Sequence, residues 1–205
     1  MDFHGGSKLT KLTYPLKTIY SSEARQKLRL VLDDFRPDVI HLNNFNYQLT
    51  PSIILEADKW RKESGHACRI LYTAHDYQLV CPNHMCCRVD GQVCEDCLGG
   101  KLTSCIRNKC IHGSTAKSAI GFAEAAFWRW KKVYKKLDAI VCCSEFMKKK
   151  LDTDPSCGAN GGDAQLYFHK ESPGCGKNRT TVLYFGRFAK EKGIETFLKA
   201  CKGLA

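Results

Sequence analysis

The residues best suited to chemistry stand at three places in this 205-residue chain. His75 sits beside Asp76 directly after the apolar run ILYTA. An imidazole titrates near neutrality, so it suits proton transfer or recognition of a hydroxyl, with Asp76 beside it to organise hydrogen bonding. A histidine at such a point also serves as a plain structural donor, and residue type alone leaves both roles open. His41 and Asn43 hold the matching place after DVIHL. Gly186 and Arg187 follow TVLYF, with Lys192 five residues after Arg187. Two cations across a turn into a helix suit a diphosphate, because the helix N-terminus adds to their field. A solvated basic loop is the plainer use of the same charges.

A fourth feature is built from thiols. Cys81, Cys94, Cys97 and Cys110 are spaced C-x12-C-x2-C-x12-C, and the central C-x2-C is the bite with which two thiolates share a tetrahedral zinc. Four thiolates would close the site and make the zinc structural. Cys86, Cys87 and Cys105 can each substitute for one member, and a reduced, partly buried thiol cluster accounts for the spacing equally well. Haem and iron–sulfur spacings do not match.

These groups can share a site only if strand ends are brought side by side. Ser21 and Ser22 open a helix through EARQKLRLVLDDF, with Leu28, Val31, Leu32 and Phe35 at helical spacing, and Pro37 ends it. Residues 38–42 form an aliphatic strand. Thr50 and Pro51 supply an N-cap and a first-turn proline for SIILEADKWRKES, which Gly65 closes. Residues 68–74 form the next strand, so one amphipathic helix joins two aliphatic strands, the β-α-β unit of a parallel sheet. The fold class is therefore α/β. After a cysteine-rich excursion over residues 81–110, a helix over 114–137 leads to a strand at 139–143 and a short helix SEFMKKKL. Residues 154–180 carry five glycines, two prolines and one leucine, too little apolar surface for a core, and read as a linker. Beyond them a strand TVLYFG and a helix EKGIETFLKACKG begin a second β-α domain. Loops after the carboxyl ends of parallel strands are where such sheets place function, since helix N-termini and free amides point there.

Length and composition fit one domain, or one domain and part of another. Hydrophobic residues at 43% and charged residues at 26% exclude disordered and collagen-like chains. No apolar run reaches membrane-spanning length and the N-terminus lacks a signal-peptide core, so the expected location is cytoplasmic. In that compartment thirteen cysteines argue for thiols or metal rather than disulfides. The net charge of +11 favours anionic partners. Residues 115–151 hold nine basic and three acidic side chains. Within them FAEAAFWRWKKVYKKL aligns Ala123, Phe127, Trp130, Tyr134 and Leu137 in one stripe. Such a helix can pack that stripe on the sheet and offer its lysines to anionic lipid at the inner face of the membrane, or be an ordinary core-facing helix with a solvated basic face.

Five blocks in this order resemble the bacterial family 4 glycosyltransferases: RPDVIHLNNFNYQLTPSIILEA, ILYTAHDYQLVCPN, VDGQVCEDCLGGKL with IRNKCIHGS, AIVCCSEFMKKKL, and VLYFGRFAKEKGIETFLKA. The resemblance covers about residues 20–153 and 181–205. It implies a GT-B fold of two Rossmann-like domains: an acceptor-side domain over 1–153 with the cysteine-rich insertion 81–110, a linker over 154–180, and the start of a donor-binding domain over 181–205. It further implies a nucleotide-sugar donor, a glycan or lipid-linked acceptor, retention at the anomeric carbon, no catalytic metal and no nucleic-acid partner. His75 matches the histidine that faces the reacting sugar. Gly186, Arg187 and Lys192 match the GR…KG pattern that contacts donor phosphates, and Asp76, His41 and Asn43 fall on the acceptor side. The family's glycine-rich first loop and its Glu-x7-Glu pair are not among these residues, so the expectation is a fragment inactive as an isolated chain. The alternative is a noncatalytic, zinc-containing basic module that binds nucleic acid or another anionic partner; it leaves HDY and GRFAKEKG unexplained.

Overall fold

The computed structural model describes residues 19–45, 49–154 and 194–202. The first two stretches belong to one unit and the third to another. In the first unit, helix α1 (Ser22–Phe35) starts where Ser21 leaves the extended region and its Oγ accepts from the Ala24 N–H at 3.1 Å. It stops at Arg36, whose φ of 45° is left-handed and whose N–H donates to Leu32 O, with Pro37 next in the chain. Ala24 and Leu32 are buried and Leu28 packs against the core, whereas Val31 and Phe35 stay 58% and 75% exposed. The expected four-residue stripe is thus half used among the described residues: α1 meets the core along one line of its surface.

Helix α2 (Ser52–Ser64) begins one residue later than the Thr50–Pro51 signal predicts. Thr50 takes a left-handed φ of 57°, and Pro51 is already helical at the cap position. Buried Thr50 serves a longer-range purpose: its Oγ1 accepts from the Ser21 N–H at 3.2 Å and pairs with Ser52 Oγ at 2.8 Å. One hydroxyl therefore ties the starts of α1 and α2 together. Gly65, at φ 64°, closes α2 as expected.

Strands β1 (Val39–Leu42), β2 (Arg69–Ala74) and β3 (Ala139–Cys142) form a three-stranded parallel sheet in the order β1-β2-β3. Leu42 pairs with Tyr72, and Ala74 pairs with Cys142, so the three carboxyl ends lie along one edge. Ile40, Ile70, Tyr72, Ala74, Ile140 and Cys142 supply the buried face and pack with Trp60 and Trp128; the β2 residues and the two tryptophans are at most 1% exposed. The architecture is α/β with parallel strands, compatible with part of a Rossmann-like sheet. Below the opposite edge, Asp138 Oδ2 accepts from the Ile70 N–H at 2.7 Å and from Arg61 Nη1 at 2.6 Å, clamping the start of β3 to β2 and α2.

The segment after β2 holds a 3-10 turn (Leu98–Gly100), helix α3 (Ser104–Arg107) and an isolated antiparallel bridge between Cys87 and Val93. Helix α4 (Thr115–Trp130) follows, capped by Ser114. The single helix expected over 114–137 is corrected here: α4 ends at Trp130, Lys132 turns left-handed at φ 50°, and a 3-10 turn (Val133–Lys136) completes the approach to β3. Val133 is fully buried and Lys136 Nζ reaches Asp58 at 2.8 Å, and a straight helix would not deliver both. Ser118, Gly121 and Trp128 face inward, while Ala123 and Trp130 of the expected stripe are exposed. Helix α5 (Glu145–Asp152) follows β3 with Ser144 as N-cap. Asp154 is buried and bonds Arg129 Nη2 at 2.5 Å. The second unit contributes helix α6 (Ile194–Lys202). Among the described residues no helix is long and apolar enough to cross a membrane.

Candidate functional site

The carboxyl edge of the sheet gathers Asn43 after β1, His75 after β2 and Cys143 after β3. In register, Asn43 and His75 each follow a paired strand end, and Cys143 stands beside His75 because Ala74 pairs with Cys142. His75 Nε2 lies 3.1 Å from Asn43 Oδ1, which can only accept, so Nε2 carries the proton and Nδ1 presents a lone pair. The imidazole is exposed and therefore open to a ligand arriving at the edge. His75 and Asn43, picked from different strand ends, are in direct contact.

His41 and Asp76 are placed otherwise. His41 belongs to β1 itself, and its Nε2 bonds Thr73 Oγ1 at 2.7 Å across the strand pair, on the sheet face away from the core. Asp76 turns into its own loop: Oδ1 accepts from the Gln78 N–H at 2.9 Å and Oδ2 lies 3.9 Å from His84 Nδ1. It shapes the loop that leaves β2 and does not join His75. Burial lowers the basicity of the His84 imidazole, against the opposing pull of Asp76 and Cys81. Gly186, Arg187 and Lys192 lie outside the described residues.

A small cleft behind this loop is lined by Gln78, His84, Leu102, Glu124, Arg129 and Tyr134, among others. Burial raises the Glu124 carboxyl to about 7. Both amide atoms of Gln78, itself 7% exposed, are buried and find no hydrogen-bond partner among the described residues. Neither residue is marked by the sequence, because the cleft joins the loop after β2 to the flank of α4, far apart in the chain.

The cysteine-rich insertion buries Cys81, Cys94, Cys97, Cys105 and Cys110. The thiols of Cys86 and Cys97 both hydrogen-bond Cys81, which favours the Cys81 thiolate and pushes its two neighbours upward in turn. Cys105 rises to about 12, chiefly through burial, and bonds Cys110. Cys94 instead faces Asn108, whose Nδ2 lies 3.8 Å from Sγ. Cys97 therefore meets Cys81 directly, Cys110 feels the charge of both Cys81 and Cys94, and Cys86 takes a further place beside Cys81. Among the described residues no group of three or more His, Cys, Asp or Glu side chains is arranged to hold a metal ion.

The basic stretch after Glu124 is tied down in part. Lys136 is held by Asp58, and Lys150 bonds Glu95. Lys131 Nζ stands 4.5 Å above the ring of Trp130, which is 72% exposed.

Compared with known proteins, no family model matches the chain. No solved structure matches it either. Among curated proteins, a 75-residue stretch, 37% of this chain, is 27% identical to an uncharacterised 42.6 kDa protein in the cps region of Klebsiella pneumoniae. That stretch spans 18% of the relative's length, so the likeness reaches a part of each protein.

Proposed function

We propose that this chain acts in the biosynthesis of a cell-surface polysaccharide, as the acceptor-side part of a glycosyltransferase of GT-B type that passes a hexosyl group from a nucleotide sugar to a glycan or lipid-linked acceptor. The observation that carries the reading is the contact of Asn43 with His75 at the carboxyl edge of a parallel sheet, an exposed pair at the position where open α/β sheets bind ligands. The partial likeness to a protein of a cps region, where capsule genes lie, supports the polysaccharide setting. The five sequence blocks that resemble family 4 glycosyltransferases supply the reaction class.

In this reading His75 faces the reacting sugar. With its Nε2 proton directed at Asn43, the ring is held in one tautomer, and Nδ1 can accept from a sugar hydroxyl when the neighbouring Cys143 thiol donates instead to the Ala74 carbonyl oxygen. Gly186, Arg187 and Lys192 contact the departing diphosphate, where positive charge offsets the charge that develops on the leaving oxygen. No catalytic metal is part of this proposal.

The test is transfer from a panel of labelled nucleotide hexoses to a polyprenyl-linked glycan, made with the product of the whole coding region that contains these residues. His75→Ala is expected to lower transfer on the order of 100-fold, as loss of a positioned polar group at a reacting centre does. Arg187→Ala is expected to reduce nucleoside diphosphate release in parallel. Absence of transfer and of nucleotide-sugar binding across the panel would overturn the proposal.

A further inference from the structure

We infer that Cys143 is a nucleophilic thiol served by His75 and Asn43, a modification site for soft electrophiles at the carboxyl edge of the sheet. Its Sγ lies 3.9 Å from His75 Nδ1, and the opposite ring nitrogen, Nε2, lies 3.1 Å from Asn43 Oδ1. The amide oxygen accepts a hydrogen bond from Nε2–H, so in the neutral ring Nδ1 is the unprotonated nitrogen and is aimed at sulfur. This is the atom order by which a thiol, an imidazole and a side-chain carbonyl work together: the base accepts the thiol proton and the third group fixes the base's tautomer.

Three further features fit a reactive rather than a structural thiol. Cys143 is exposed, whereas the other described cysteines are buried or half-buried. Its hydrogen has a second acceptor in the Ala74 carbonyl oxygen, 3.2 Å away, so rotation about Cβ–Sγ hands it between a resting partner and the base. The next residue, Ser144, caps α5, so the thiol stands at the junction of β3 with that helix rather than inside a packed element. Sheet register makes this arrangement, since Ala74 pairs with Cys142 and thereby places His75 and Cys143 on neighbouring strand ends.

The step balances as a simple displacement. The Cys143 thiol gives its proton to His75 Nδ1 as the sulfur lone pair forms a bond to the electrophile, and the leaving group departs with the electrons of the bond that breaks. With a low-molecular-weight disulfide the new bond is S–S, and the released thiolate takes the proton back from His75. With iodoacetamide the new bond is S–C, iodide leaves, and the imidazolium returns its proton to solvent. A group attached at Cys143 would sit against His75 and close the edge to other ligands. The inference stands on these contacts and not on the glycosyltransferase proposal.

The test is the rate of iodoacetamide alkylation of each cysteine at pH 7, read by peptide mass spectrometry on the folded chain and on the same chain in urea. Access alone can at best bring a folded thiol to its unfolded rate, so only activation lifts it above. Cys143 is expected to react at least threefold faster folded than unfolded, with the buried cysteines protected. His75→Ala is expected to slow Cys143 about tenfold, and Asn43→Ala severalfold, with far-UV circular dichroism unchanged. A Cys143 rate at or below the unfolded rate overturns the inference, as does a rate unmoved by His75→Ala. Should His75→Ala fail to fold, the folded-to-unfolded ratio in the unsubstituted chain decides.

Discussion

Two carboxylates, Asp58 on α2 and Glu124 on α4, show how setting, more than type, assigns a role. Asp58 is nearly buried and accepts from Lys62 and Lys136, each at 2.8 Å, and from Arg61 at 3.0 Å. Burial alone would raise its carboxyl, yet the hydrogen bonds from Lys136, Lys62 and Arg61 outweigh that cost and hold it at about 2. Asp58→Asn keeps the shape and removes the charge, and is expected to cost roughly 2 kcal/mol at pH 7, measured by urea unfolding. Glu124 is the opposite case, since burial raises it with no comparable return. Glu124→Gln is therefore expected to raise the melting temperature by a few degrees at pH 8 and to leave it unchanged at pH 4, checked by calorimetry.

At the scale of elements, helix ends and one close approach carry the positioning. Ser144 leaves the extended region, and its Oγ accepts from the Met147 N–H at 3.2 Å, which starts α5 directly beside the sheet edge. Ser144→Ala is expected to cost about 1 kcal/mol of stability, seen in chemical unfolding. Gly121 sits on the inner face of α4, where a Cβ would lie 2.4 Å from Ile111 Cδ1 and 3.4 Å from the Pro82 carbonyl oxygen. A side chain at this position would therefore require the tip of Ile111 to move. Gly121→Ala gains about 1 kcal/mol of helix propensity but forces Ile111 aside, and the expected net result is destabilisation. Ile111→Val removes the clashing methyl, so the double variant is expected to recover most of the loss, a coupling that a double-mutant cycle measures.

For the whole molecule, Asp58 and Glu124 set opposite slopes of stability with pH. Asp58 has a depressed folded value, so its contribution is full above the ordinary carboxylate range and is lost as pH falls from about 4 toward 2. Glu124 has a raised folded value, so its contribution is full below about 4.5 and is lost as pH rises through about 7. Taken together, the two groups place their joint optimum near pH 4 to 5. Urea unfolding midpoints across pH 2 to 9 are expected to fall at both ends, and Glu124→Gln is expected to flatten the alkaline limb alone.

The alternation of aliphatic runs with capped amphipathic helices was enough to determine the parallel α/β class, because DVIHL, RILYTA and AIVC can bury both their hydrogen bonds and their side chains only in a sheet crossed by helices. It also placed His75 and Asn43 at strand ends, and their contact follows once the strands pair. Local signals marked Ser21, Gly65 and Ser144 at their helix termini, since caps act within a few residues. What the chain could not show by itself depends on contacts between distant residues. The pairing of Ala74 with Cys142 brings Cys143 to His75 across nearly seventy positions of sequence. After Trp130 the helix breaks, Val133 is buried and Lys136 reaches Asp58; of the expected stripe Phe127, Tyr134 and Leu137 meet the core while Ala123 and Trp130 do not. Asp76 is adjacent to His75 in sequence yet turns to Gln78 and His84, because a loop residue satisfies its nearest backbone donor first. Cysteine spacing counted residues, while the folded insertion decided which thiols meet, Cys86 and Cys97 at Cys81 and Cys105 at Cys110. Periodicity and capping are short-range properties that a sequence carries openly; register, helix rotation and the company of a buried group are decided only when the chain closes on itself.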